Sequence, residues 1–287
     1  MTITGRAEQV ADYHPNRCRE NQTANDQLTA VSRSVQRMYE NLGEAHPLPS
    51  LAQSALLSPF HFHRVFRQRT ASTPARFLAA LRMAEAKRLL AETSINVTDI
   101  CMHVGYSSLG TFTTQFTRLV GTSPRQFRRL IRPVADKPIN TILATVRPVL
   151  AAPAVVQVTA AVTGGPTGAT LALAGCFPSG IPQERPAACS IVSVPGIATF
   201  GNLTDGDYHV LAMSFNPSAT VLDAVVGAED PACCVGASPV PVRIHDGRST
   251  SAAPVQVQLR PRRPIDPPLV LAFPLLLEAE ARRESTS

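Results

Sequence analysis

Residues 58–82, SPFHFHRVFRQRTASTPARFLAALR, return fifty positions later as residues 108–132, SLGTFTTQFTRLVGTSPRQFRRLIR. At that register Ser58 falls on Ser108, Phe62 on Phe112, Phe66 on Phe116, Pro74 on Pro124, Phe77 on Phe127 and Arg82 on Arg132. A repeat of this kind means that one supersecondary unit was built twice.

Each copy reads as a helix, a break and a second helix. Ser58 is a good N-cap, and Pro59 suits the first helical position, where a missing N–H costs nothing. Phe62, Val65 and Phe66 follow at i, i+3 and i+4 and make one side apolar. Thr73 and Pro74 repeat the cap-plus-proline signal and open a helix to about Ala91, with Phe77, Leu81, Ala84 and Leu89 on its buried side. In the second copy Ser107 or Ser108 caps a helix whose inner row is Phe112, Phe116 and Leu119. Gly121 ends it, and Ser123 with Pro124 opens a short helix.

A short helical stretch precedes each capped helix. Leu51, Ala52, Ala55 and Leu56 stand before the first. Val97, Ile100, Cys101 and Val104 stand before the second, with a turn at Gly105. A short helix, a tight turn and an amphipathic second helix is the helix-turn-helix plan, in which the second helix enters the major groove. The connecting helix is expected to be about 27 Å long at 1.5 Å per residue. Two heads at its ends would reach groove segments about 34 Å apart.

Residues 26–132 resemble the AraC/XylS transcriptional regulators. The resemblance rests on LSPFHFHRVFRQRTASTPARFL, on MAEAKRLL and on ICMHVGYSSLGTFTTQFTRLVGTSPRQFRR, with Gly105, Tyr106, Ser107, Phe112, Phe116, Gly121, Ser123, Pro124 and Phe127 in place. It implies a seven-helix module that binds double-stranded promoter DNA and recruits or blocks RNA polymerase. It also implies a separate domain for a small-molecule effector or for homodimer formation. Such a domain commonly precedes the DNA module, whereas here the extra sequence follows it.

Charge agrees with that reading. Residues 50–132 hold twelve Lys or Arg against three Asp or Glu, whereas residues 1–49 and 133–287 are each slightly acidic. The whole positive excess of the chain, +6, therefore sits in the repeat. A localised basic surface is the footprint of phosphate neutralisation.

Helix faces select the candidate contacts. With Phe62, Val65 and Phe66 inside, the first reading helix turns Phe60, His61, His63, Arg64 and Arg67 outward. The resemblance puts base contacts at Phe60, His63, Arg64 and Arg67. Arg64 has the strongest chemistry, because a guanidinium can bond guanine O6 and N7 together; a phosphate contact is its plainer use. The second helix offers Gly110, Thr113, Thr114 and Thr117, whose short reach predicts a weaker sequence preference there. Arg118, Arg125, Arg128 and Arg129 are expected to anchor phosphates.

Residues 1–23 are polar and read as a flexible arm without the apolar core of a signal peptide. Leu28, Val31, Val35, Met38 and Leu42 then mark a helix that opens the DNA module, residues 24–132. Prolines 133, 138, 148 and 153 punctuate a linker over 133–153. Residues 154–277 carry strand-period segments at 155–162, 170–177, 189–194, 197–203, 207–215, 240–245 and 254–259, separated by turn sequences such as Asp205-Gly206 and Asp246-Gly247. The pattern predicts an antiparallel β-sandwich. LTDGDYHVLAMSF is loosely similar to prealbumin-like and carboxypeptidase regulatory-like modules. LVLAFPLLL, broken by Pro274, is too short to span a bilayer and is expected to add an edge strand before a solvated tail at 278–287.

The fold expected is thus an all-α double helix-turn-helix domain followed by an all-β domain. The six cysteines lack CxxC spacing, which fits reduced thiols in the cytoplasm. Residues two apart on a helix diverge, so His61 and His63 do not form a shared metal site. No nucleophile elbow, phosphate loop or HExxH stands in the β-region, so neither an enzyme nor a cofactor is expected. The competing class is an architectural protein that coats DNA with little specificity.

Overall fold

In the computed structural model, residues 15–146, 153, 155–165, 170–216, 218–226, 233–251 and 253–272 are described. Seven helices cover the basic half: α1 (Pro15–Glu40), α2 (Leu48–Ser54), α3 (Pro59–Thr70), α4 (Pro74–Glu92), α5 (Val97–His103), α6 (Leu109–Val120) and α7 (Pro124–Ile131). The caps are those that the sequence signals. Ser58 Oγ accepts from the His61 N–H, Thr73 Oγ1 from Arg76, Ser108 Oγ from Thr111 and Ser123 Oγ from Gln126, at 3.3–3.4 Å. Asn96 caps α5 in the same way at 2.9 Å. The break after α6 is Gly121 at φ 92°, whereas the same place in the first copy holds Ala71 at φ 51°.

The repeat extends into the cores. Phe62, Phe66 and Phe77 stack edge-to-face with ring centroids 5.5 Å apart. Phe112, Phe116 and Phe127 form the matching chain at 5.7 and 5.9 Å. All six rings are fully buried.

Two boundaries differ from the expected ones. α1 begins at Pro15, inside the stretch read as an arm; residues 1–14 lie outside the described residues. Val31, Val35 and Met38 anchor its C-terminal half in the first core. Once that nucleus is fixed, adding further turns is easy, because propagation costs far less than nucleation. The expected linker contains α8 (Ile139–Val146), and Ile139, Ile142 and Leu143 are buried there. Its partner is α9 (Val221–Val226), and the Ile139 N–H donates to Ala219 O at 2.9 Å.

The β-region is a mixed, nearly closed sheet, which corrects the antiparallel sandwich. Its strands are β1 (Val158–Gly164), β2 (Thr170–Phe177), β3 (Ala188–Val194), β4 (Gly196–Phe200), β5 (Gly206–Ser214), β6 (Cys234–Ala237), β7 (Val242–His245), β8 (Arg248–Ser249) and β9 (Val255–Pro261). They run in the order β3-β2-β5-β6-β9-β1-β4, with β7 on β5 and β8 on β7. β1 and β9 pair in parallel, Ala160 opposite Val255 and Val162 opposite Val257. The two edges, β3 and β4, are consecutive in the chain with only Pro195 between them, so the sheet curls until its edges approach. Small residues fill its interior: Ala160, Ala172, Ala174, Ala198 and Ala212 are buried beside Val210 and Phe200. That choice suits the narrow inside of a small barrel.

The C-terminal segment also departs from expectation. Residues 269–272 form no strand. The Val270 and Leu271 N–H groups both donate to Pro182 O, and the Ala272 N–H donates to Val120 O, each at 3.1 Å. Residues 273–287, including the expected tail, lie outside the described residues.

The two halves share a core. One continuous apolar cluster contains Phe112, Phe116 and Phe127 of the second helical unit together with Phe177, Ile191, Phe215, Val225, Val270 and Leu271. The outer faces of β2 and β5 carry Leu171, Leu173, Leu211 and Met213 against it. β2, and β5 from Val210 to Met213, are therefore apolar on both sides.

Candidate nucleic-acid interface

α3 buries Phe62, Val65, Phe66 and Thr70. On its other side Phe60 is 84% exposed, Arg64 and Arg67 are exposed, and His61 and His63 are half-buried. α6 buries Phe112, Phe116, Leu119 and Val120, which leaves Gly110, Thr114 and Thr117 exposed and Thr113 half-buried. Nothing in the fold demands glycine at 110, since a Cβ there would meet only Ser108 Oγ, at 3.8 Å. Thr117 Oγ1 donates to Thr113 O at 2.7 Å, so its hydroxyl is spent within the helix. Leu109, 43% exposed at the start of α6, belongs to the same surface and escaped the sequence reading. Its place beside Ser108, matching Pro59 beside Ser58, was the available signal.

The α4 helix joins the heads. Its 19 residues give a length of roughly 28 Å. Contacts between the turns fix the two units against each other. Gly105, at φ 83°, lets the turn before α6 approach Gly43 O and the Arg82 guanidinium. Arg82 Nε and Nη2 donate to Leu42 O and Glu44 O at 2.9 and 2.8 Å, beyond the end of α1, and its guanidinium lies 5.7 Å from the Tyr106 ring centroid.

Half of the twelve basic side chains are committed internally. Arg69 donates to Gln27, Arg82 to the carbonyls above, and Arg88 to Glu85 and Glu92. Lys87 is fully buried, and its Nζ donates to Val225 O and Leu269 O at 2.5 and 2.7 Å. Burial, with a smaller push from Arg262, lowers its pKa to about 7. Arg118 sits 3.3 Å from Glu184 of the β-region. Arg128, expected at phosphates, instead donates to Leu90 O and Ile95 O at 3.1 and 2.5 Å, which ties α7 to the end of α4. The other six, Arg64, Arg67, Arg76, Arg125, Arg129 and Arg132, are exposed.

A known sequence family, described as a helix-turn-helix domain, matches residues 51–130. Residues 51–130 are a helix-turn-helix domain. An HTH-type transcriptional regulator of Mycobacterium tuberculosis is 39% identical over 87 residues, which cover 30% of this chain and 34% of that protein. The transcriptional activator RhaS of Escherichia coli O157:H7 is 39% identical over 80 residues, 28% of this chain and 29% of that one. The chain thus spans about a third of the length of these relatives. A solved structure of the DNA-binding domain of AdpA with a target DNA is 30% identical over 36% of this chain and 93% of that one, with a TM-score of 0.35. Among the described residues of the helix-turn-helix domain and its surroundings, no helix is long and apolar enough to cross a membrane.

Proposed function

We propose that the protein is a sequence-specific transcriptional regulator of the AraC type that acts in the cytoplasm. The observation that carries this reading is the duplication itself: α3 and α6 bear matched caps and matched aromatic cores, and each turns a polar face outward at one end of α4. In the bound complex α3 and α6 lie in successive major-groove segments. Phe60, His63, Arg64 and Arg67 read bases from α3, and Gly110, Thr113, Thr114 and Thr117 touch them more loosely from α6. Arg125 and Arg129 neutralise phosphates, with Arg118 when Glu184 releases it. Arg128 contributes by holding α7 in place. The bound module recruits or blocks RNA polymerase, and the β-region senses a ligand or mediates association.

Selection from a random duplex library with the full chain at physiological salt tests the reading. The expected product is a two-part motif, sharp in one half and blurred in the other, with the halves about one helical turn apart. Retention of DNA without enrichment of any motif would overturn it in favour of low-specificity coating.

A further inference from the structure

A cavity of about 110 Å³ lies between the outer face of the curled sheet and two covering segments. Leu173, Leu211, Met213 and Val235 form its floor. The cover is the loop between β2 and β3, through Gly180, Pro182 and Pro186, together with Leu269 and Leu271. The two segments are joined to each other where Pro182 O accepts from the Val270 and Leu271 N–H groups.

The charged residues at the cavity wall are Arg260 and Asp266, and they satisfy each other. Two guanidinium nitrogens donate to the two carboxylate oxygens at 2.7 Å, and the Arg263 N–H adds a third bond to that carboxylate at 2.6 Å. A closed pair of this kind offers an incoming molecule no net charge. The rest of the lining is apolar or backbone. The space is somewhat smaller than the closed apolar cavity of about 150 Å³ that holds benzene, and the exposed rim at Ala237 lets part of a ring project beyond it.

The far side of the cover touches both reading heads. Gly180 packs on the α3–α4 turn so closely that a Cβ there would lie 2.4 Å from Ala71 Cβ. The Glu184 N–H donates to Leu119 O at 2.9 Å, and its carboxylate pairs with Arg118 at 3.3 Å. The Ala272 N–H donates to Val120 O at 3.1 Å. One strap therefore spans the C-terminal ends of α3 and α6 while its other surface roofs the cavity.

We propose that this cavity is an effector site for an uncharged, apolar, ring-sized molecule, and that its occupant shifts the strap and so the relative placement of α3 and α6. This rests on the reading that the two helices bind one DNA site together. A ligand can change DNA affinity only by binding the DNA-competent arrangement and its alternative unequally, and the coupling is reciprocal.

Benzene is the probe and benzoate its charged counterpart, titrated into the full chain by calorimetry and NMR with and without the selected duplex. Saturable benzene binding, weak or absent benzoate binding, and a change of about fivefold or more in duplex Kd are expected. Leu211→Phe, which fills the cavity from its floor, and Ala237→Phe, which fills it from the exposed rim, should each abolish benzene binding and hold duplex Kd constant at any benzene concentration; circular dichroism confirms that each variant is folded. Unchanged duplex affinity with benzene bound would refute the coupling. Absence of benzene binding by a chain that still selects its motif would refute the site and leave the DNA reading intact. Absence of any duplex binding, with benzene bound or not, would refute the DNA reading.

Discussion

Lys87 Nζ lies 2.7 Å from Leu269 O, so a fully buried side chain of the helix joining the two heads is locked to the β-region. A neutral amine has two N–H groups, and the two carbonyls that surround it, of Val225 and Leu269, match them. Its folded pKa, about 7, stands below the ordinary 10.5. The unfolded chain therefore binds more protons between these values, and the contribution of Lys87 to stability grows as pH rises from about 7 to 10.5. Below pH 7 both states are protonated and its slope vanishes. The growth is at most about 1.4 kcal/mol per pH unit. Urea unfolding of the wild type and of Lys87→Met at pH 6, 7.5 and 9 should show the variant losing ground steadily. A constant difference would mean that the amine is not desolvated.

The sequence assigns Arg125 and Arg128 the same phosphate role, and the structure separates them. Arg128→Ala removes two charge-assisted bonds to the carbonyls of Leu90 and Ile95. Such bonds are partly exposed here, so a loss of about 1–2 kcal/mol in unfolding free energy is expected. Arg125→Ala, at an exposed site, should leave stability within about 0.5 kcal/mol. It should flatten the slope of log K against log salt by about 0.9. The opposite pattern in salt titrations and melts would restore Arg128 to the phosphates.

Much of this was legible because it is local. Ser58, Thr73, Ser108 and Ser123 announce their helices through the next three residues, and TLALAGCF has the exact limits of β2. What escaped depends on remote partners. The parallel pairing of β1 with β9 joins residues about ninety-five apart and leaves no mark in either strand. Arg128 looks like any basic residue on a polar face until Leu90 and Ile95 are brought beside it. One signal was present and unread. LALAGCF has no polar alternation, which is the mark of a strand buried on both faces, and it foretold the shared core.

Gly105 holds the two helical units together. At φ 83° it adopts a left-handed conformation, and a Cβ would stand 2.8 Å from Gly43 O and 2.7 Å from Arg82 Nη2. The arginine end could shift, but the backbone oxygen is fixed by the end of α1. Gly105→Ala should therefore cost about 2 kcal/mol or more, the sum of conformational strain and displaced backbone. Gly247→Ala, at φ 69° with nothing within 4 Å, should cost about 1 kcal/mol. Chemical denaturation of both variants makes the comparison, and equal losses would mean that the contact at Gly43 is slack.

The shared core makes the helical half dependent on the rest. A chain ending at Ala135 uncovers the face of the second unit that meets Phe177, Phe215, Val225, Val270 and Leu271. Each large side chain returned to water forfeits about 1.5–3 kcal/mol. Relief of the buried Lys87 offsets only part of that. The truncated chain should melt well below the full one and tend to associate through the uncovered face. Equal melting temperatures with a monomeric fragment would show that the two halves are independent.

Arg64 is the residue on which sequence preference should turn. It stands exposed on α3, one residue before the buried Val65, and carries no internal bond that competes for its guanidinium among the described residues. If it grips a guanine through O6 and N7, Arg64→Ala should lose about 1–3 kcal/mol on the selected duplex. The loss on random duplex should be much smaller, because a random site seldom presents the matching guanine, whereas a phosphate contact would be lost equally on any sequence. Competition binding at fixed salt separates the two: a fall in the ratio of selected to random affinity supports base reading, and equal losses on both duplexes would move Arg64 to the phosphates and shift the burden of recognition to Phe60, His63 and Arg67.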